Sequence, residues 1–283
     1  SSGSFFGDTF SYSPNNSPAD ILYVSNAGNN TIRKFDLATG ADLGVFANTG
    51  FSPNGLAFDS AGNLYVAKPA YGGLEKFSST GNDLGLFISF LDLPTGLAFD
   101  NAGNLYVAEY GPGRISRFTP GGVGSLFSPA HSHVSGLAFD SAGNLYAASY
   151  DYNQIEKFTP GGVRSVFGTT SANSGGLAFD SAGNLYVATG SGNSIERFTP
   201  GGVRSVFANT GLNNPNGLAF DSAGNLYAST SPHTIRKFTS TGTDLGAFTS
   251  GLSTPTWITI QRGTTPVAAS PAPDQLAALT AAN

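Results

Sequence analysis

The tract Gly-Leu-Ala-Phe-Asp-Ser-Ala-Gly-Asn-Leu-Tyr starts at Gly55, Gly96 (with Asn101 in place of Ser), Gly136, Gly176 and Gly217, in steps of 41, 40, 40 and 41 residues. Self-similarity at about 40 residues, in units of short apolar runs and turns, is the signature of repeats that bury their faces only against one another. A radial β-propeller meets that need, each repeat forming one four-stranded blade. The period also separates scaffold from site. What every repeat shares serves every blade, and a binding site must lie where the repeats differ.

Within the repeat from Gly176 to Pro215, four apolar runs of four or five residues stand out: Gly-Leu-Ala-Phe, Asn-Leu-Tyr-Val-Ala, Ser-Ile-Glu-Arg-Phe and Val-Arg-Ser-Val-Phe. Their β-branched and aromatic content predicts four strands, none containing proline. Asp180-Ser-Ala-Gly-Asn184 predicts a tight hairpin closed by an Asx-turn with Gly183 at positive φ, and Thr199-Pro-Gly-Gly202 predicts a second turn. The Leu-Tyr pairs ending at Tyr23, Tyr65, Tyr106, Tyr146, Tyr186 and Tyr227 count six blades. The first has no Gly-Leu-Ala-Phe before it, whereas Pro255-Thr-Trp-Ile-Thr-Ile260 aligns with Pro215-Asn-Gly-Leu-Ala-Phe220. The expected fold is therefore all-β, a six-bladed propeller over residues 20–262 whose C-terminal strand completes blade one and removes the open sheet edges. Residues 1–19 form an N-terminal extension and residues 263–283 a Pro/Ala-rich tail, with a short helix expected after Asp274.

With 40% hydrophobic residues, 22 Phe and 11 Tyr, the chain can pack such blades without staples. It contains no cysteine, which excludes disulfides, zinc–thiolate sites and cysteine nucleophiles. A net charge of -5 with dispersed Lys and Arg opposes nucleic-acid binding. The basic residues fall in the third strand of each blade, as at Lys76, Arg117, Lys157 and Arg197, and are read as a ring of solvated charges. No stretch of 18 apolar residues marks a membrane span. A start at Ser1 and only 11% charged residues against abundant Ser, Thr, Asn and Gly lead to the expectation of a secreted chain with its signal peptide removed. The sequons at Asn15 and Asn29 are the number chance supplies in so Asn-rich a chain.

The tract Gly103-Asn-Leu-Tyr-Val-Ala-Glu-Tyr-Gly-Pro-Gly-Arg-Ile-Ser-Arg-Phe-Thr-Pro-Gly-Gly122 resembles NHL-type repeats, including those of secreted bacterial proteins, and more distantly the blades of streptogramin lyase-like propellers. The resemblance implies the propeller architecture. In the lyase-like family an acidic residue after the second strand often helps to hold a metal; only Glu109 matches, the equivalent positions being Asn26, Lys68, Ser149, Thr189 and Thr230. Lactonase-type propellers, with a channel metal held by Glu, Asn and Asp, are matched still less.

Strand order puts the Asp-Ser-Ala-Gly-Asn and Thr-Pro-Gly-Gly turns on one monotonous face and the remaining loops on a variable one, where loops on a rigid scaffold carry function. Candidate binding residues there are Tyr71, Glu109 and Tyr110, then His131 and His133 between blades three and four, Tyr150, Asp151, Tyr152 and His233. Trp257, the sole tryptophan, joins them from the closing strand. Rings with an apolar face and a polar tip suit carbohydrate or peptide recognition. His131 and His133 are spaced to face one way on a strand, where they could share a metal with Asp151 or Glu109, but three histidines in the chain are thin support and no metal and no cofactor is assigned. The repeated Asp59, Asp100, Asp140, Asp180 and Asp221 offer too few oxygens for calcium and are read as turn formers.

These readings converge on a secreted, non-catalytic binding or assembly module whose partner is a protein or carbohydrate surface. A metal-dependent lyase or lactonase-like enzyme, and a building block of an extracellular assembly joined through residues 1–19 and 263–283, are the alternatives.

Overall fold

A computed structural model of the chain describes residues 20–129 and 133–263. Six antiparallel sheets of four strands stand around a central axis, five of them running outward in sequence order. Blade two shows the plan: Leu56–Phe58 is innermost, followed by Leu64–Lys68, Gly73–Phe77 and Asp83–Ile88. Blade one is closed as the sequence predicts. Its inner strand Pro255–Gln261 pairs antiparallel with Ile21–Asn26, in the register Leu22 to Ile260 and Val24 to Ile258. Proline does enter strands, at the first residue in Pro94 and Pro255 and the last in Pro129, where no interior ladder bond is lost. Two 3-10 turns, Ala27–Asn29 and Pro69–Tyr71, are the helical elements among the described residues. The helix expected after Asp274, and both extensions, lie outside them.

The core sits in six wedges between blades. In one of them Tyr23, Ile32 and Phe46 of blade one meet Leu56, Leu64 and Phe77 of blade two. Five of the six wedges share one hinge: a second-strand tyrosine packs edge-on against a phenylalanine of its own outer strand and another of the next blade's inner strand. Tyr65 does so with Phe87 and Phe99 at 4.9 and 5.1 Å, and Tyr186 with Phe207 and Phe220 at 4.8 Å each. Such pairs add about 0.5–1.5 kcal/mol each beyond area burial. At the closing joint Ile260 stands at the second phenylalanine position, so Tyr227 keeps only Phe248 as an aromatic neighbour.

The basic ring of the third strands differs from its sequence reading. Lys76, Lys157 and Lys237 place their ammonium groups 4.8, 5.2 and 5.1 Å from the ring centres of Tyr65, Tyr146 and Tyr227. Lys76 also reaches the turn carboxylate of Asp59 at 3.5 Å. These cations cap the wedges, because a long aliphatic stem can cover an aromatic core while its head stays partly in water.

Both turns form as expected. Asp180 accepts backbone N–H bonds from Ala182 and Asn184 on Oδ1 and the Asn184 amide on Oδ2, and Gly183 has φ of 80°. The same bonds recur at Asp100, Asp140 and Asp221.

Candidate functional site

The inner strands approach the axis so closely that their glycines are obligatory. A Cβ on Gly136 would lie 2.3 Å from the Gly175 carbonyl oxygen of the next blade, and one on Gly176 2.4 Å from that of Asn216. Just before each glycine, or before Trp257 in blade one, on the variable-face side, comes a small residue: Asn54, Thr95, Ser135, Gly175, Asn216 and Thr256. Several of these stitch neighbouring blades. The hydroxyl of Thr95 donates to Val134 O at 3.2 Å, Ser135 to Ser174 O at 2.8 Å, and Thr256 to Pro53 O at 3.2 Å. At two further joints backbone N–H groups of Gly176 and Gly217 donate to Asn216 O and Thr256 O, both at 3.1 Å.

Above this ring opens a cavity of about 230 Å³, lined by Asn54, Thr95, Ser135 and Asn216, by Asn173 and Asn214 from the loops, and by the rings of Tyr110, Tyr150 and Trp257. Among the described residues its lining contains no charged side chain. Trp257 stands where the other inner strands carry the tight glycine, and it both lines this cavity and belongs to the buried wedge between blades one and two. The rim is ordered by stacking. His133 lies flat on Tyr110 at 4.4 Å with 12° between planes, Tyr150 meets Tyr110 edge-on at 5.8 Å, and His133 Nδ1 is 2.7 Å from the Asp151 carboxylate. Burial, then the neighbouring Tyr150 and the charge of Asp151, push the Tyr110 phenol above its ordinary pKa, so it stays a neutral donor.

The structure thus brings together five of the ten residues singled out from sequence: Tyr110, His133, Tyr150, Asp151 and Trp257. Tyr71 belongs to a separate exposed pair with Phe51, at 5.0 Å, under which the Lys68 ammonium lies 4.8 Å from the Tyr71 ring centre. Tyr152 and His233 are exposed elsewhere on the same face. His131 lies outside the described residues.

Glu109 is fully buried, and its carboxylate is engaged within its own blade. Arg114 donates to both oxygens at 2.9 and 2.8 Å, Ser116 to Oε1 at 2.5 Å, and the Asp92 backbone N–H to Oε2 at 3.1 Å. Burial alone would raise its pKa, but these donors together hold it below the usual carboxylate range. The task is to pin the loop arriving from the previous blade. Glu196 does the same for Ser171 N–H, and Lys68, with the sign inverted, donates to Thr49 O at 3.1 Å. Among the described residues no group of three or more His, Asp or Glu side chains is placed to hold a metal ion, and no helix is long and apolar enough to cross a membrane.

Neither a family model nor a curated protein matches the chain. Solved structures do match it. A chain of a nidogen/laminin complex aligns at a TM-score of 0.78 with 20% identity, over 87% of this chain and 100% of that one. Virginiamycin B lyase from Staphylococcus aureus gives 0.65 and 17%, over 86% and 89% of the two chains. A gluconolactonase-family protein gives 0.62 and 17%, over 71% and 79%. What these likenesses show is the fold. The neighbours are NHL/YVTN-type propellers, and one architecture carries both binding and enzymatic members among them.

The sequence reading missed Asn54, Thr95, Ser135, Asn173, Asn214 and Asn216. The one signal available was positional: the residue before each inner-strand glycine stays small and mostly polar while its identity changes from blade to blade.

Proposed function

We propose that this propeller is a secreted, non-catalytic binding module that contacts a protein or a glycan with its variable face. The observation that carries the reading is the meeting of Tyr110, Tyr150 and Trp257 over an uncharged polar cavity on the axis, the one place where all the blade joints converge. Apolar rings beside hydrogen-bonding groups make a recognition surface, and one structural neighbour is a propeller seen in complex with laminin. The lyase or lactonase reading has two neighbours of that name on its side. In this chain, however, the carboxylate of the cluster, Asp151, is paired with His133, and Glu109 is committed to Arg114.

The test is binding of the full chain to immobilised glycans and to extracellular matrix proteins. Changing Tyr110→Ala and Tyr150→Ala together should weaken binding at least tenfold, while the melting temperature moves by only a few degrees because neither residue belongs to the inter-blade wedges. Undiminished binding by the double variant, with loss on deletion of residues 1–19 or 264–283, would replace this reading by assembly through the extensions.

A further inference from the structure

We infer that the axial cavity receives a single neutral sugar ring, held edge-on by hydroxyl donation to the polar ring of the blade joints and covered on its apolar face by Trp257, Tyr110 and Tyr150. The inference rests on the reading of the variable face as the contact surface and names what that face would take.

Donor accounting comes first. The Thr95 hydroxyl has one proton, shared between Val134 O at 3.2 Å and Ala108 O at 3.4 Å; the Ser135 proton is likewise directed to Ser174 O at 2.8 Å and Ala148 O at 3.4 Å. A hydroxyl whose proton is spent on the scaffold can only accept from anything else, and among the described residues nothing donates to either oxygen. Asn54 Oδ1, at the same level of the ring, is buried with no hydrogen-bond partner. The floor is therefore rich in acceptors. Its natural complement is a ligand carrying several donors, and the hydroxyls of a sugar fit it, since each can donate to these oxygens and also accept from the Asn amides of the lining.

Charge and size narrow this further. Among the described residues no lining side chain is charged, so a cationic ligand would enter without a counter-charge in the lining and pay for desolvation. At about 230 Å³ the cavity is smaller than the ~300–1,000 Å³ of sites for larger ligands. One ring fits, and an oligosaccharide would have to extend outward over the rim.

The ring is also lopsided. Where the other blades place Asn, Thr or Ser, blade five has Gly175, and Gly190 beside it likewise omits a side chain. A Cβ on Gly175 would meet Asn216 Oδ1 at 3.0 Å, the end of a side chain, with backbone no nearer than 3.7 Å among its neighbours from other parts of the chain. A small side chain is thus sterically tolerable at Gly175 and would occupy the cavity.

Because Trp257 is the only tryptophan in the chain and lines this cavity, its fluorescence is a probe of binding there. The full chain is titrated with methyl glycosides of glucose, galactose, mannose and N-acetylglucosamine, and in parallel with tetramethylammonium and acetate. At least one glycoside should give a saturable change with a dissociation constant on the order of 1 mM, the strength available to so few atoms. Gly175→Ser and Tyr150→Ala should each weaken it about fivefold or more, with unchanged melting curves showing that the ring is intact. A flat response to every glycoside, a response only to tetramethylammonium or acetate, or equal affinity in both variants would overturn the inference. If the sugars are silent while binding to immobilised partners still depends on Tyr110 and Tyr150, only the sugar assignment falls. If that dependence is missing too, the face itself is the wrong surface.

Discussion

At the residue scale the chemistry of this chain is set by which polar groups are already committed. Glu109 shows the consequence for pH. Its carboxylate has a pKa held below the ordinary range in the folded chain, so between the folded and unfolded values the unfolded state binds more protons and stability rises with pH. The contribution is complete above the unfolded value near 4.3 and is lost as pH falls through the folded one. Asp59 and Asp140 add to the same limb: burial alone would raise them, but the bonds from Asn63 and Asn144, with the charges of Lys76 and Lys157, lower them. Glu109→Gln should therefore lower the melting temperature at pH 7, by the equivalent of about 1–3 kcal/mol for loss of a buried charge-assisted network. It should also flatten the decline below pH 4. A variant melting curve that tracks the wild type at pH 7 would mean that Glu109 is not the pin of the 92 loop. This role was not legible in the sequence, where Glu109 stood out for its resemblance to a metal ligand. Arg114 lies five residues away, and only the antiparallel register sets it opposite.

At the scale of the element, the hairpin turns were legible because each is a local solution repeated under one constraint. Asp-x-x-Gly-Asn writes its own hydrogen bonds over five residues, so no distant contact is needed to read it. Two kinds of glycine sharing one repeat make the point testable. Gly143 has φ of 80° with its nearest outside atom at 3.8 Å, whereas Gly136 has no positive φ but faces a carbonyl at 2.3 Å. Gly143→Val should cost about 1–3 kcal/mol through backbone strain alone. Calcium should leave the melting temperature of wild type and variant unchanged, since the Asp140 carboxylate already accepts two backbone N–H bonds and the Asn144 amide. A calcium-dependent rise of several degrees would return these turns to the list of ion sites. The outer strands carry a second device: in every blade the register slips by a residue between the third and fourth strands, as between Ile155 and Glu156. Bulges of this kind twist the exposed edge away from flat pairing. That matters because aliphatic side chains such as Leu126, Val166, Val206 and Leu245 are exposed there.

Across the whole molecule, closure joins the legible and illegible parts of the sequence. The pairing of residues 255–261 with 21–26 follows from counting tracts, but the axial cavity it completes does not. The cavity arises only when six strand starts converge, and single Asn, Thr and Ser residues scattered 40 positions apart carry no local pattern. The closing strand serves both. Trp257 and Ile258 are buried at the joint, Ser229 donates to Thr256 O at 2.6 Å, Tyr23 donates to Gln261 at 3.0 Å, and Gly263 N–H reaches Asp20 at 3.1 Å. Burying a large apolar side chain contributes about 1.5–3 kcal/mol, so losing Trp257 and Ile258 alone removes about 3–6 kcal/mol. The whole margin of a typical domain is only about 5–15 kcal/mol. Ending the chain after Thr254 also leaves Ile21–Asn26 as an uncovered inner edge, open to pairing with another chain. The truncated protein should therefore melt far below the intact one and aggregate as it does so. Trp257→Gly, which restores the residue found at this position in the other blades, should cost less and keep the ring closed while abolishing the aromatic wall of the cavity. If the truncated chain melts with the intact one, blade one does not depend on its C-terminal strand. If Trp257→Gly unfolds the ring as thoroughly as truncation does, the indole belongs to the scaffold, and its place beside the cavity is incidental to binding.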